Sequence, residues 1–375
     1  MIMKRILPII LALCLILCAC KSQPDSAETT SATTAPVTTT SVATTAPATE
    51  TTENAEATEA TEAPVEVVLD PSGLHRNPLN GEILDEAYSG RVFAVTMNTV
   101  DQAMPYHGIN QADVYFEMFV NGFATRGLAL FTNVEDVESI GSIRSTRYNF
   151  TDLALAYDMI LVHASASDEV LRDMYAEDVA NLNADGDIGY RDSDRYNNRG
   201  YDWEHTLFAK GQSLADAAAK KGYDLEVTGK DYGMHFTEDG TPAKGEKASE
   251  IKIVLNHNGS TKTNYMKYDE TLGKYIFWQF GDEQIDENTG ERVNFENVIV
   301  MFATVEDIGQ YHVADLYDSG DGYFACGGKI IPIKWSHENE RDPIRFTLED
   351  GTPLKQGVGS TYIAIAPLAS SVTYE

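Results

Sequence analysis

Two hydrophobic rhythms run along this chain, and the change from one to the other divides it. From Arg91 onward, short apolar runs alternate with helical patterns. Residues 91–97 (RVFAVTM) form a compact apolar run closing on Asn98, which predicts a buried strand. Residues 114–120 (VYFEMFV) and 125–131 (TRGLALF) flank Asn121-Gly122, a pair that tolerates positive φ and so predicts a hairpin. Residues 139–147 (SIGSIRSTR) read as a passage from strand into loop. Phe150, Leu153, Leu155 and Tyr157 then recur at helical spacing, and residues 159–163 (MILVH) return as a buried strand. Residues 168–175 and 213–221 predict two further helices.

Past residue 245 the helical rhythm stops. Residues 251–256, 263–268, 274–280, 297–304, 323–333, 344–348 and 361–366 are short, β-branched and aromatic. Between them lie turn-forming stretches such as 287–290 (ENTG), 319–322 (SGDG) and 349–351 (EDG). Repeated short strands with such turns predict an antiparallel sheet or sandwich. The expected fold class is α+β: a mixed α/β N-terminal domain over residues 67–235, then an antiparallel all-β C-terminal domain over residues 245–370.

The residues before this folded part carry a different message. Lys4 and Arg5 precede an apolar run of about a dozen residues, short of the ~20 a membrane span needs. The run ends in Leu17-Cys18-Ala19-Cys20, with small Ala19 before a cysteine, the pattern of a bacterial lipobox. Residues 1–19 are therefore expected to leave as a signal peptide. Cys20 is then acylated, with palmitate-type chains holding the protein on the extracytoplasmic face of the cell membrane. Residues 24–66 contain 14 Thr and 10 Ala and no aromatic residue, too little apolar surface to offset ordering entropy. Residues 20–66 thus read as a flexible tether.

Charge and cysteine content narrow the partners. The net charge is −30, and most of it lies in the folded part, which excludes a nucleic-acid backbone as an expected partner. Cys326 is the one cysteine left after processing, and it reads as a half-buried strand residue rather than a nucleophile. No phosphate-binding glycine loop, GxSxG elbow or HExxH pair appears, so no catalytic residue is assigned, and no cofactor or metal is expected.

Within this acidic chain, Arg126, Arg144 and Arg147 stand at or beside predicted strand ends, and Arg191, Arg195 and Arg199 follow in a polar loop. Arginine suits bidentate binding of phosphate or carboxylate, but it serves equally to pair internal acids and hold loops. His163 ends a buried strand and His205 lies in Glu204-His205-Thr206; either is a candidate acid–base group or a satisfied structural histidine. Asn98 and Glu117 complete the candidate set as supporting residues. Glu117 interrupts an apolar strand, so it must be paired, and the expected partner is Arg126 or Arg144. Residues 181–192 partly resemble a calcium loop, with Asn and Asp in place of its usual end residues, and read better as an acidic turn.

Several ordered segments together resemble the YerB-like lipoproteins of Gram-positive bacteria. In the first half these are Asn77-Pro78-Leu79-Asn80-Gly81, AVTMN at 94–98, ADVYFE at 112–117, Thr125-Arg126 and IGSIRSTR at 140–147, then the strand to His163 and the Arg191, Arg195 and His205 run. In the second half they are Asn256-His257-Asn258, Tyr268-Asp269, NVIV at 297–300, the turn at 320–324, Trp335 and Gly357. The resemblance implies two consecutive domains of unknown function behind a lipobox and a tether. Met104-Pro105-Tyr106 and Glu204-His205-Thr206 depart from that family's usual Arg-Pro-Gln and Pro-His-Asn.

Two functions follow as expectations. One is binding of an anionic cell-envelope ligand, a phosphorylated lipid-linked precursor or wall polymer, at Arg126, Arg144, Arg147, Arg195 and His205. A loose likeness in strand order to wall-polymer phosphotransferases of the LytR type points the same way. The other is a non-catalytic module that binds an envelope protein, with the arginines structural.

Overall fold

The computed structural model describes residues 73–375. The signal segment, Cys20 and the tether lie outside the described residues. The described residues belong to one compact unit and are α+β, with a mixed N-terminal region and a C-terminal antiparallel sheet. Among the described residues no α-helix follows Lys221.

The first half runs β1 (Phe93–Asn98), β2 (Val114–Asn121), β3 (Ala124–Phe131), α1 (Tyr148–Ala156), β4 (Ile160–His163), α2 (Asp168–Ala176), β5 (Asn181–Asn183) and α3 (Gly211–Lys221). The second half runs β6 (Glu250–His257), β7 (Ser260–Asp269), β8 (Lys274–Gln279), β9 (Asn297–Ala303), β10 (Val305–Ile308), β11 (Tyr311–Ala314), β12 (Ser319–Cys326), β13 (Lys329–Ser336), β14 (Thr361–Pro367) and β15 (Ser371–Tyr374).

A large central sheet draws strands from both halves, in the order β13-β12-β9-β14-β2-β3-β1-β4-β5. Strand β14 makes the join, lying parallel to β9 on one side and to β2 on the other. Such strands are covered on both faces, which is why β1 and β14 are apolar and buried at nearly every position. One face packs against α1, Met174 of α2, and the segments around Tyr232 and Ile344. The other packs against α3 and a second antiparallel sheet, β8-β7-β6-β15. That second sheet is wet on its far side, and β6 and β7 alternate buried with exposed or half-buried residues accordingly.

The turns follow local chemistry. The predicted hairpin forms between β2 and β3 with Gly122 at φ 56°. Residues 323–333, expected as one strand, instead form parts of β12 and β13. Gly327 and Gly328 sit at φ 58° and 74°, the two-residue turn with positive φ at both positions that favours a tight hairpin.

Candidate functional site

The segment 142–146 is laid between the carboxyl ends of two parallel strands, β1 and β4. Asn98 N–H donates to the Ser142 carbonyl (2.9 Å) and Arg144 N–H to Thr96 (3.0 Å), while Ala164 N–H donates to Arg144 (2.9 Å). Carboxyl ends of parallel strands are where open sheets of this kind commonly expose ligand-binding loops. Arg126, two residues into β3, lies directly opposite Asn98, and its Nη1 donates to the Ser145 carbonyl. Arg147 precedes the first turn of α1, donates to its neighbour's carbonyl (2.7 Å), and lies over the Tyr311 ring at 5.1 Å.

Three arginines are thereby brought together, with one acid, Glu204, paired to Arg144 alone. Arg126 is only 5% exposed, yet among the described residues neither it nor Arg147 has a carboxylate within ion-pair distance. Arg144 donates to the Glu204 carbonyl (3.0 Å) and stands 3.6 Å from the exposed Glu204 carboxylate. The Nε atoms of all three are buried and make no hydrogen bond. Burial first, then the charges of Arg147 and Arg144, pulls the Arg126 guanidinium well below its ordinary range. A buried charge without a partner is costly, and native structures seldom hold one without a use for it.

His205 and Asn98 border the cluster. Asn98 Nδ2 donates to His205 Nδ1 (2.8 Å), and burial together with the Arg144 charge lowers the imidazole below its usual range, favouring the neutral ring. His163 is buried at the end of β4 with Nε2 3.4 Å from Asn181 Oδ1, and burial lowers it too. The two histidines have separate partners and form no joint site.

Glu117 pairs with neither arginine. Its Oε1 meets Lys262 Nζ at 2.8 Å and accepts from Thr125 Oγ1 (2.7 Å), while Oε2 accepts from Asn264 (2.8 Å) and Tyr362 (2.9 Å). The reason is the two-residue period of a strand. Arg126 lies opposite Met118 and shares its face, which packs toward α1, whereas Glu117 lies opposite Gly127 and faces the second sheet. Burial alone would raise the Glu117 carboxyl, but Lys262 and the Thr125 and Tyr362 hydroxyls outweigh it and lower it below its ordinary range. Lys262 was not foreseen. Its signal in sequence is phase: it shares the inward face of β7 with buried Ser260, Asn264 and Met266.

Two family profiles match the chain, "Protein of unknown function (DUF3048) N-terminal domain" over residues 79–224 and its C-terminal domain over residues 251–363. The chain belongs to this family. It is 26% identical over 312 residues to the protein named "Putative lipoprotein YerB" of Bacillus subtilis (strain 168), spanning 80% of this chain and 89% of that protein. The crystal structure of the YerB protein from Bacillus subtilis superposes with a TM-score of 0.67 at 25% identity, covering 80% of this chain and 99% of that one. Among the described residues no helix is long and apolar enough to cross a membrane.

Met104-Pro105-Tyr106 and Glu204-His205-Thr206 lie in different settings of this DUF3048 chain. Glu204-His205 borders the arginine cluster. Met104-Pro105-Tyr106 is instead held by Arg195, which donates to the Ala103 (3.0 Å) and Pro105 (2.8 Å) carbonyls. Arg195 is fully buried, pairs with Glu287 at 2.7 Å, and stacks its guanidinium 4.8 Å from the Phe208 ring. It is neutralised by that contact and does not join Arg126, Arg144 and Arg147. Arg199 adds a second contact to Glu287 at 2.8 Å, and Arg191 pairs with Asp185 at 2.7 Å. In the 181–192 segment, Asp192 caps the short helix at Ser193–Asn197. With Asp185 paired and Asp192 capping, these two acids are taken up within the chain, and the turn proper covers 185–188 between two short strands. Cys326 is buried in β12, and burial pushes its thiol up to about 12, far from a nucleophile's range. Two cavities, of 350 and 690 Å³, open elsewhere on the surface, and neither is lined by a member of the arginine cluster.

Proposed function

We propose that this protein is anchored to the outer face of the cell membrane through acylated Cys20 and binds an anionic cell-envelope ligand at Arg126, Arg144 and Arg147. A phosphorylated lipid-linked precursor or a wall polymer carries the matching chemistry. The observation supporting this reading is Arg126, nine-tenths buried among two like charges and lacking a carboxylate. A structural arginine in a chain of net charge −30 finds an acid, as Arg195 does with Glu287. A phosphate would supply oxygens to the half-buried guanidinium groups of Arg144 and Arg147, and the start of α1 beside Arg147 favours the same sign of ligand. His205, biased toward the neutral ring by burial and the Arg144 charge and oriented by Asn98, is placed to donate or accept at the rim.

The test is calorimetric titration of the full chain in detergent with inorganic pyrophosphate and, separately, with a purified polyol-phosphate wall polymer. Replacing Arg144 and Arg147 together with Ala abolishes binding while the circular dichroism spectrum stays unchanged. Equal binding by the doubly substituted protein defeats the proposal. Co-purification of an envelope protein with both forms would then favour the interaction-module reading.

A further inference from the structure

Beside the arginine cluster, whose Arg147 reaches Asn121 and the Tyr311 ring, two histidines and one carboxylate from different hairpins meet. His257 ends β6, next to the Asn258-Gly259 turn. Asp307 and His312 are cross-strand partners in the β10–β11 hairpin. Asp307 Oδ1 lies 2.7 Å from His257 Nε2 and 2.6 Å from His312 Nδ1, and the three candidate ligand atoms all lie within 4.8 Å of one another. The two imidazole centroids are 4.5 Å apart.

The surrounding contacts make this more than a hydrogen-bonded triad. His312 Nε2 donates to the Gly122 carbonyl at 3.0 Å, so a neutral His312 carries its lone pair on Nδ1, aimed at Asp307. That would set a ring lone pair against a carboxylate lone pair at 2.6 Å, which is repulsive unless a proton or a metal cation lies between them. Asp307 Oδ2 accepts from Asn258 Nδ2 at 2.8 Å, which fixes the carboxylate with Oδ1 toward the histidines. An imidazole oriented by a backbone carbonyl and a carboxylate oriented by an amide are the outer contacts that metal ligands usually carry.

The geometry points to a divalent transition-metal site of the zinc class, formed by His257 Nε2, Asp307 Oδ1 and His312 Nδ1. Two imidazoles and one carboxylate suit zinc, with one position left for water or another ligand. In a tetrahedral zinc site neighbouring ligand atoms are about 3.3 Å apart, so the contacts must open by roughly 0.6–0.7 Å to admit the ion. The Asp307 side chain is 44% exposed and has room to make that move. A bound ion would tie the β2–β3, β6–β7 and β10–β11 hairpins together, since His312 also reaches Gly122. This inference does not depend on the arginine cluster.

The experiment is titration of the metal-stripped full chain with zinc chloride, followed by calorimetry and thermal unfolding, and with cobalt(II) chloride, followed by visible absorption. One zinc per chain, a raised melting temperature and the intense cobalt bands of a four-coordinate site are expected. The variant His257→Ala/His312→Ala should bind zinc at least 100-fold more weakly, and Asp307→Asn, which keeps the hydrogen-bonding shape, should lose at least tenfold. No stoichiometric zinc binding by the folded parent would overturn the proposal, and a proton on His312 Nδ1 would then satisfy Asp307. Zinc binding of equal strength in the double variant would overturn it too, placing the ion elsewhere on this acidic chain.

Discussion

Replacing Arg126 with Met separates a ligand-binding arginine from a structural one by the sign of its effect on stability. Met retains most of the unbranched stem and its packing, while removing the charge and the hydrogen bond to the Ser145 carbonyl. Losing a hydrogen bond from a charged donor costs about 1.5–3 kcal/mol. Against this stands the relief of a charge held at 5% exposure beside Arg144 and Arg147, with the Glu204 carboxylate acting on it only from beyond ion-pair distance. Desolvation of such an ion costs several kcal/mol, and replacing buried ionic groups with apolar ones of similar volume stabilises by up to about 4 kcal/mol. The expected balance is a gain of about 1–3 kcal/mol for Arg126→Met in the absence of ligand. Urea denaturation with and without pyrophosphate reads both sides. At 100 times its dissociation constant pyrophosphate should stabilise the parent by about 2.7 kcal/mol and the variant not at all. If Arg126→Met unfolds more easily than the parent and keeps its response to pyrophosphate, Arg126 is a structural residue and the binding argument fails.

Three further outcomes follow from the buried ionic contacts and the buried thiol. Lys262→Met strands the fully buried Glu117 carboxylate and should cost about 3–5 kcal/mol, whereas Glu117→Gln combined with Lys262→Met should recover most of that loss. Strictly additive losses in a urea-denaturation cycle would show that the two groups do not interact. Glu287 is held at about 2 because Arg195, His107 and Arg199 together outweigh its burial. Its folded value lies below the unfolded 4.5, so its contribution is present above pH 4.5 and lost as pH falls toward 2. Glu287→Gln should destabilise the protein by about 2 kcal/mol at pH 7, discounted for partial exposure, and flatten melting temperature against pH between 4.5 and 2. An unchanged acid limb of that curve would remove Glu287 from the account. Cys326 should resist iodoacetamide at pH 8 in the folded protein and react once urea unfolds it, as peptide mapping at that residue would record; labelling of the folded protein would contradict its burial.

Hydrophobic rhythm and turn chemistry made much of the architecture legible. The β2–β3 hairpin, α1, β4 and the all-β second half follow from period-two and helical spacing punctuated by Asn-Gly and Gly-rich turns. Where local reading went astray, at residues 323–333, it passed over Gly327-Gly328, a signal that was present in the chain. The proximity of Arg126, Arg144 and Arg147 was expected from their places near strand ends, and Arg126 on β3 donates into the 142–147 segment that carries the other two. Arg195, read with them, is drawn off by Glu287, about 90 residues away, in a contact no local pattern reveals.

By itself the amino-acid sequence determined the elements, the change from mixed to all-β texture and the excess of acid, because each depends on neighbours within a few residues. Only the tertiary structure decided the partners. Glu117 faces Lys262 instead of Arg126 because two strands side by side put adjacent positions on opposite faces, and which face meets which layer is a matter of register. His257, Asp307 and His312 have no motif spacing, and they meet only because three hairpin tips converge. The join of the two halves through β14 is likewise non-local: a strand near the end of the chain lies beside β2, well over 200 residues earlier, where both its faces are buried. Local chemistry made the strands, and burial of their faces chose their neighbours.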